Sequence, residues 1–447
     1  MGEVSDIQQT APGAGAASEG AEGAKGGWFG IYRDVLRVRA FRPLFLGQGL
    51  SGLGDGCGFI AVAWMALDLA RPSERPYAVG LAIAAYSLPG AVVGLAGASR
   101  LADLQPRALL IADAILRMVL LGAIPILHLL GDLRLGAYVA LLAGSSLLGT
   151  VGRGGFVSAV ASLVPEARRF GANSLLGSTE AVAVTLIGPA VGGVLVATVG
   201  ASVTIAVDAA TFLAPLWAAA TLPWAVRASG QVEARVKLRS MLRRPLIAWL
   251  LALTVVFYGL YGPFETALPL FVQRDLGSGA ALYGALWASF GAGAVIACVA
   301  VGTRTVEHVE RFALAVVAGW GLCVILVGAT RLPMVAALGM AAGGLIYAPY
   351  PAITTTSLQR LLPSRELAAG AAGWFAVLTA VTPATTAVGG PIVAAIGPRA
   401  AVLGSGIATI ALALLVTAVH RRSSSRQPRS DQRTAGLASH STDLCAR

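Results

Sequence analysis

Between Leu44 and His420 the chain runs in long apolar stretches broken by brief charged interruptions, and those interruptions alternate between arginine-rich and arginine-poor. With 56% hydrophobic residues and 12% charged, about half the charged share of soluble domains, a soluble globule is excluded. A helix needs about 20 apolar residues to cross a bilayer. Twelve stretches meet that length: 44–70, 78–98, 108–130, 136–158, 170–198, 201–223, 246–272, 281–302, 312–330, 333–358, 367–395 and 399–419. They are continuous runs, not alternating ten-residue strands, which argues against an outer-membrane barrel. The predicted fold class is an all-α polytopic membrane protein with 12 transmembrane helices.

The basic residues set the orientation. With both termini in the cytoplasm, the inner segments hold 25 of the 33 Lys and Arg. The outer loops hold only Arg71, Arg75, Arg134, Arg274, Arg331 and Arg399. This is the positive-inside pattern, present in short loops where the rule is most reliable. It predicts a multi-pass protein of a prokaryotic plasma (inner) membrane, with the lipid bilayer as its surroundings. The net charge of +11 is then orienting arginine, and no nucleic-acid partner is expected. Residues 1–40 read as a disordered cytoplasmic tail: the first 27 are Gly/Ala-rich with Glu3, Asp6, Glu19 and Glu22 and have no apolar core, so they form neither a signal peptide nor a span. Residues 421–447 read likewise, with Arg421, Arg422, Arg426 and Arg429 placed to meet anionic lipid.

Several chemistries are not expected. The four cysteines (Cys57, Cys298, Cys323, Cys445) show no CxxC spacing, and the four histidines (His128, His308, His420, His440) sit at loops or span ends, so no disulfide framework, haem or metal site is implied. The only lysines, Lys25 and Lys237, are followed by Gly26 and Leu238, which excludes a phosphate-binding P-loop. Transport by such a chain is secondary, driven by an ion or substrate gradient, without a cofactor.

The longest polar stretch between spans, 224–245, separates a bundle at 41–223 from one at 246–420. The halves show self-similarity near an offset of 200. VGGVLVATVG (191–200) lies over VGGPIVAAIG (388–397), LVP (163–165) over LLP (361–363), and Arg100, Asp103 and Arg107 over Arg304, Glu307 and Arg311. Six spans per copy is an even number, so both copies share one orientation: two pseudo-symmetric six-helix bundles, related by an axis along the membrane normal, with substrate sites between them near the midplane. Gly90/Gly94, Gly188/Gly192 and Gly339/Gly343 are GxxxG pairs, which let helix backbones approach closely.

Ionisable residues within spans cost about 2.5–3.5 kcal/mol each on insertion scales, so each needs a reason. At about 1.5 Å of rise per residue, Asp55 in span 1, Glu180 in span 5 and Arg117 in span 3 lie deep. Asp208 and Glu265 lie nearer the outer surface and Arg153 nearer the inner one. Asp113 and Arg117, four apart, share a helix face and read as a structural pair, and Asp208 reads as structural too. Glu265, which follows Gly262-Pro263, a predicted kink in span 7, is a further candidate for coupling or substrate contact. Arg153 fits an anionic substrate, a carboxylate partner or simply the end of span 4. Broken helices at equivalent positions mark transporter sites: span 4 contains Gly152-Arg153-Gly154-Gly155 and span 10 contains Tyr347-Ala348-Pro349-Tyr350-Pro351. Phe257, Tyr258, Tyr261 and Phe264 in span 7, Tyr283 and Trp287 in span 8, and Trp374 and Phe375 in span 11 read either as lipid-facing aromatics or, with Tyr347 and Tyr350, as a pocket for a lipophilic or amphipathic compound.

These motifs resemble a known family. Residues 41–420 look like a major facilitator superfamily transporter, most similar to the bacterial branch of macrolide and siderophore exporters. FRPLFLGQGLSGLGDG (41–56) with WMALDL (64–69) resembles that branch's first span, and DAATFL (208–213) its sixth. SRLADLQPR (99–107) resembles the superfamily's gating loop, matching at Asp103 and Arg107 and departing at Ser99, Leu104 and Pro106. GPAVGG (188–193) resembles the fifth-span motif of exporters, which assigns Gly188, Pro189, Gly192 and Gly193 to helix packing. The resemblance implies that spans 1, 4, 7 and 10 line the cavity, spans 2, 5, 8 and 11 flank it, and spans 3, 6, 9 and 12 support it from outside. Asp55 and Glu180 then become the candidates for carrying a coupling proton, because a carboxyl in a partly dry cavity can load and unload one. The expectation is a monomeric, proton-coupled exporter of a small lipophilic compound working by alternating access. An importer or facilitator on the same scaffold is the first alternative, and a polytopic membrane sensor or enzyme is a remote one.

Overall fold

The computed structural model describes residues 27–101, 105–222, 243–301 and 308–426. It is all-helical among the described residues, with twelve helical segments long and apolar enough to cross a membrane. Spans 1–6 are Phe41–Leu69, Arg75–Gly94, Pro106–Leu129, Leu135–Leu163, Glu166–Val199 and Ala201–Thr221. Spans 7–12 are Pro245–Arg274, Ala280–Ala300, Val309–Ala329, Pro333–Leu361, Gly373–Ile396 and Pro398–Ala418. The chain is a multi-pass integral membrane protein. Several helices open with Pro in the first turn, as at Pro76, Pro106, Pro245 and Pro333, where its missing N–H costs nothing. A ten-residue helix, Gly27–Leu36, lies within the segment whose composition reads as a tail. Its Val35 is buried with Leu44, Ala172 and Leu176.

The expected break at 152–155 in span 4 falls elsewhere. The helix interrupts at Leu147-Leu148 and runs unbroken over Gly149–Leu163. The glycines serve close packing instead. A Cβ on Gly152 would meet Asp113 Oδ2 at 2.6 Å, and one on Gly155 would meet the Pro106 carbonyl oxygen at 3.2 Å. Span 10 does break at Ala348, the equivalent place. Span 2 is interrupted at Tyr86-Ser87 and span 6 at Phe212. Span 5 widens to a π-helix over Ala181–Ile187, a distortion frequent at functional sites. Span 7 runs as one helix through Gly262-Pro263 and Pro269.

Spans 1–6 pack mainly on one another and so do spans 7–12, with span 2 crossing to span 11 and span 5 to span 8. The repeated VGG element explains how. In span 5, a Cβ on Gly192 would meet the Cys57 backbone of span 1 at 2.6 Å, and one on Gly193 would meet Gly284 of span 8 at 2.9 Å. In span 11, Gly389 faces Pro263 and Thr266 of span 7, and Gly390 faces Pro76 and Tyr77 of span 2. In each copy the first glycine touches its own half and the second touches the other half. Each element then ends in a single glycine with positive φ, Gly200 (+89°) and Gly397 (+84°), which turns the chain directly into the next span. Gly90 and Gly94 pack on span 4, and Gly339 and Gly343 on span 9.

These crossings lie toward the end away from the termini. There Arg75 Nη1 donates to Gln273 Oε1 at 3.2 Å, and Arg274 Nη2 to the Pro72 carbonyl at 3.0 Å. Gly284 sits against the span 5 backbone with no slack, so Gly284→Ala must push spans 5 and 8 apart. It is expected to destabilise by about 1–3 kcal/mol, as overpacking does. Gly154→Ala, which meets nothing within 4 Å, is expected to leave the melting temperature unchanged. Scanning fluorimetry in lipid nanodiscs checks both.

Candidate functional site: an ionic cluster facing an aromatic one

The deep charges of the first half meet around one side chain. Arg117 on span 3 places Nη1 3.4 Å from Asp55 Oδ1 on span 1, and its Nε donates to Asp113 Oδ1 at 3.2 Å. Tyr86, at the interruption of span 2, donates to the same Asp55 oxygen at 3.2 Å. The guanidinium also lies over the Phe212 ring, 5.3 Å from its centroid, where span 6 is interrupted. Gly149 of span 4 makes room for the guanidinium, since a Cβ there would collide with Arg117 Nη2. Asp113 and Arg117 are therefore not a self-contained pair in a supporting helix. Arg117 joins span 3 to span 1.

Asp55, Asp113 and Arg117 line a cavity of about 70 Å³ together with Gln48, Ser51 and Arg153. That is room for a few water molecules. Arg153 in turn donates through Nη1 to Glu180 Oε1, bridging spans 4 and 5. Its side chain is 66% exposed, and such an exposed pair contributes little to stability. Three of the four coupling or substrate candidates named from the sequence, Asp55, Arg153 and Glu180, thus lie around or beside one cavity. The fourth, Glu265, lies in the other half. It is buried and accepts a hydrogen bond from Thr386 Oγ1 of span 11 at 2.9 Å.

The aromatic residues form a second, continuous cluster. The Phe257 ring contacts those of Tyr258, Tyr347 and Tyr350, Tyr347 also contacts Tyr258 and Tyr350, and Tyr258 and Tyr347 join through their hydroxyls. Trp320 of span 9 links Tyr347, Tyr261, Phe264 and Phe290. Trp287 touches Phe290 and reaches across to Phe59 of span 1 at 5.3 Å between ring centroids. Tyr350, Trp287 and Trp374 are buried, whereas Tyr258, Tyr261 and Tyr347 are partly exposed. Phe375 is exposed. Sequence reasoning passed over Trp320, Phe290, Phe59 and Tyr86. The signal for the first two was available in the repeat. Asp55, Tyr86 and Arg117 map, 203 to 204 residues on, to Tyr258, Phe290 and Trp320.

Arg107 reaches the Leu222 carbonyl at the end of span 6, while Asp103 lies outside the described residues. Gly188 and Gly192 face span 1, and Pro189 and Gly193 face span 8.

Removing one member of a half-buried ionic group leaves the others uncompensated. Arg117→Gln is expected to cost about 1–3 kcal/mol. Adding Asp113→Asn should restore part of that loss, which a lone surface pair would not show. Thermal unfolding of the single and double variants measures it.

A family model described as transmembrane secretion effector matches residues 34–434. No curated protein matches the chain in sequence. Among solved structures, the chain is similar to a bacterial homologue of the human lysosomal transporter Spinster in an inward-facing, unoccupied conformation (12% identity, 87% of this chain and 96% of that one, TM-score 0.63). It is also similar to a nucleoside transporter (13%, 85% and 99%, 0.62) and to the peptide transporter POT in complex with sulfate (14%, 86% and 94%, 0.65). At such identities the likeness is one of fold.

Proposed function

The chain belongs to the transmembrane secretion effector family of major facilitator transporters, and on that premise we propose that it exports a small lipophilic organic compound in exchange for protons. Two bundles would rock about the glycine-packed crossings and open the space between them to either face in turn. The arginine distribution supports placing both termini in the cytoplasm, and we propose that the chain acts as a monomer in a prokaryotic inner membrane. The family's description supports outward transport.

The observation that carries this reading is the pairing of unlike chemistries at equivalent places. In the first half a carboxylate and a guanidinium line a cavity, so a proton taken up by Asp55 would release Arg117 from it. In the second half tyrosines, phenylalanines and tryptophans offer apolar area with a few hydroxyls, the composition of pockets for organic ligands. Asp55 is the stronger coupling residue, because Glu180 is held in an open pair with Arg153. The contacts of Asp55 instead tie three helices together.

The test is dye transport, with ethidium as probe, in membrane vesicles of known orientation under an imposed pH gradient. In inverted, acid-inside vesicles, Asp55→Asn is expected to reduce gradient-driven accumulation to the level of vesicles lacking the protein. Glu180→Gln should retain most of it. If the two substitutions together leave gradient-driven transport intact, the coupling assignment is wrong. Accumulation only in right-side-out vesicles would make the protein an importer.

A further inference from the structure

One carboxyl of the first half takes no part in these pairs. Asp208 on span 6 is 1% exposed, and neither of its oxygens makes a hydrogen bond of good geometry among the described residues, the Tyr86 hydroxyl being the donor that comes nearest to doing so. Its side chain lies flat against span 1. A Cβ on Gly54 would come within 2.8 Å of Oδ1, and one on Gly58 would collide with Oδ2. Two glycines one turn apart therefore make the slot that holds it. Span 1 turns Asp55 and Cys57 toward this region, span 2 Tyr86, and span 3 Arg117 with its partner Asp113. Span 5 offers no titratable side chain over Gly188–Val199.

The charges do not balance if every group is ionised. With Arg153 and Glu180 counted as a pair of their own, three carboxylates would share the guanidinium of Arg117, and that guanidinium is already engaged by Asp55 and Asp113. A carboxylate that is 1% exposed and makes no hydrogen bond of its own is less stable than its protonated form. We infer that Asp208 is a proton-binding site of the carrier, neutral in the conformation described here, that exchanges its proton with Asp55. In that exchange the O–H bond of Asp208 breaks and the proton passes by way of the Tyr86 hydroxyl to the Asp55 carboxylate. Arg117 then turns from Asp55 to the newly charged Asp208. The total charge of the cluster is unchanged, so the transfer moves an ion pair from span 1 to span 6 without placing a net charge in the membrane. The assignment rests on the proton-coupled reading above for its role in transport, although the protonated state itself does not.

Infrared difference spectroscopy on the full chain in lipid nanodiscs, titrated in pH with no transported compound, tests it. The wild type is expected to show a carboxylic-acid carbonyl band at neutral pH that survives Glu265→Gln and is absent in Asp208→Asn. Carbon-13 labelling of aspartate carboxyls should shift that band in the wild type and leave it unshifted in Asp208→Glu, which decides the matter even if Asp208→Asn fails to fold. On alkaline-to-neutral titration the wild type should bind one proton more than Asp208→Asn. A band retained in Asp208→Asn, or a wild type with no aspartate-derived band at neutral pH, overturns the proposal. The two readings fail separately. Gradient-independent dye transport with the Asp208 band present removes the coupling and leaves the proton site, while gradient-driven transport without the band does the reverse.

Discussion

Backbone lying directly on backbone at Gly193–Gly284 and at Gly390–Pro76 is the contact on which the arrangement of the two halves depends. Lipid tails are as apolar as leucine, so burying hydrophobic side chains gives helices in a bilayer little reason to associate. What remains is dispersion at close range, and only glycine allows two helix axes to come that near. Each VGG element spends one glycine on its own bundle and the next on the other. A single short sequence thus sets both the packing inside a half and its seat against its partner. Because the element occurs once in each half, the two crossings are related by the same pseudo-symmetry that relates the spans. The halves meet at these two crossings of small residues, at the hydrogen bonds of Arg75 and Arg274, and at the rings of Phe59 and Trp64 against span 8.

On this shared frame the halves have taken opposite chemistry. Where the first half has Asp55, Tyr86 and Arg117, the second has Tyr258, Phe290 and Trp320. The ionic set is tolerable only because its members answer one another: Arg117 meets two carboxylates and an aromatic face, and Tyr86 donates to one of those carboxylates. The aromatic set needs no such balance, and it extends over spans 7, 8, 9 and 10 as one web of ring contacts. On the proposed reading, this division would keep the proton-handling cluster apart from the surface that meets an organic molecule.

The spans and their number were legible in the sequence, since hydropathy and length are local properties and the bilayer imposes them on every helix alike. The VGG repeat was legible as a repeat, though its two-sided use was not. Asp55 was found because a charge in a span is conspicuous wherever it points. Asp208 was equally conspicuous and was read as structural, because what distinguishes it is the lack of a hydrogen bond of good geometry, and partners on other helices are invisible in one dimension. Tyr86 carries no charge and sits at a helix interruption that its sequence does not announce. The glycines of span 4 suggested a broken helix. They instead accommodate Arg117, Asp113 and the start of span 3, and composition alone cannot tell a helix that bends at glycine from one that is approached there. Asp103, in the loop resembling a gating element, lies outside the described residues.

The ionic cluster and the aromatic web are also joined mechanically, and the joint is span 1. Asp55 and Phe59 are one turn apart, so they share a helix face. Asp55 holds Arg117 and Tyr86 within the first half. Phe59 meets Trp287 and Tyr283 of span 8 in the second, and Trp64, further along the same helix, meets Tyr283 again. Any displacement of span 8 against span 1 that disturbs these rings acts within one helical turn of the carboxylate. Conversely, a change in which carboxylate holds Arg117 alters the forces on the turn that carries Phe59. On the proposed proton-coupled reading, span 1, with its ion-pairing residue and its inter-half ring contact on one face, would be the rigid element that touches both halves.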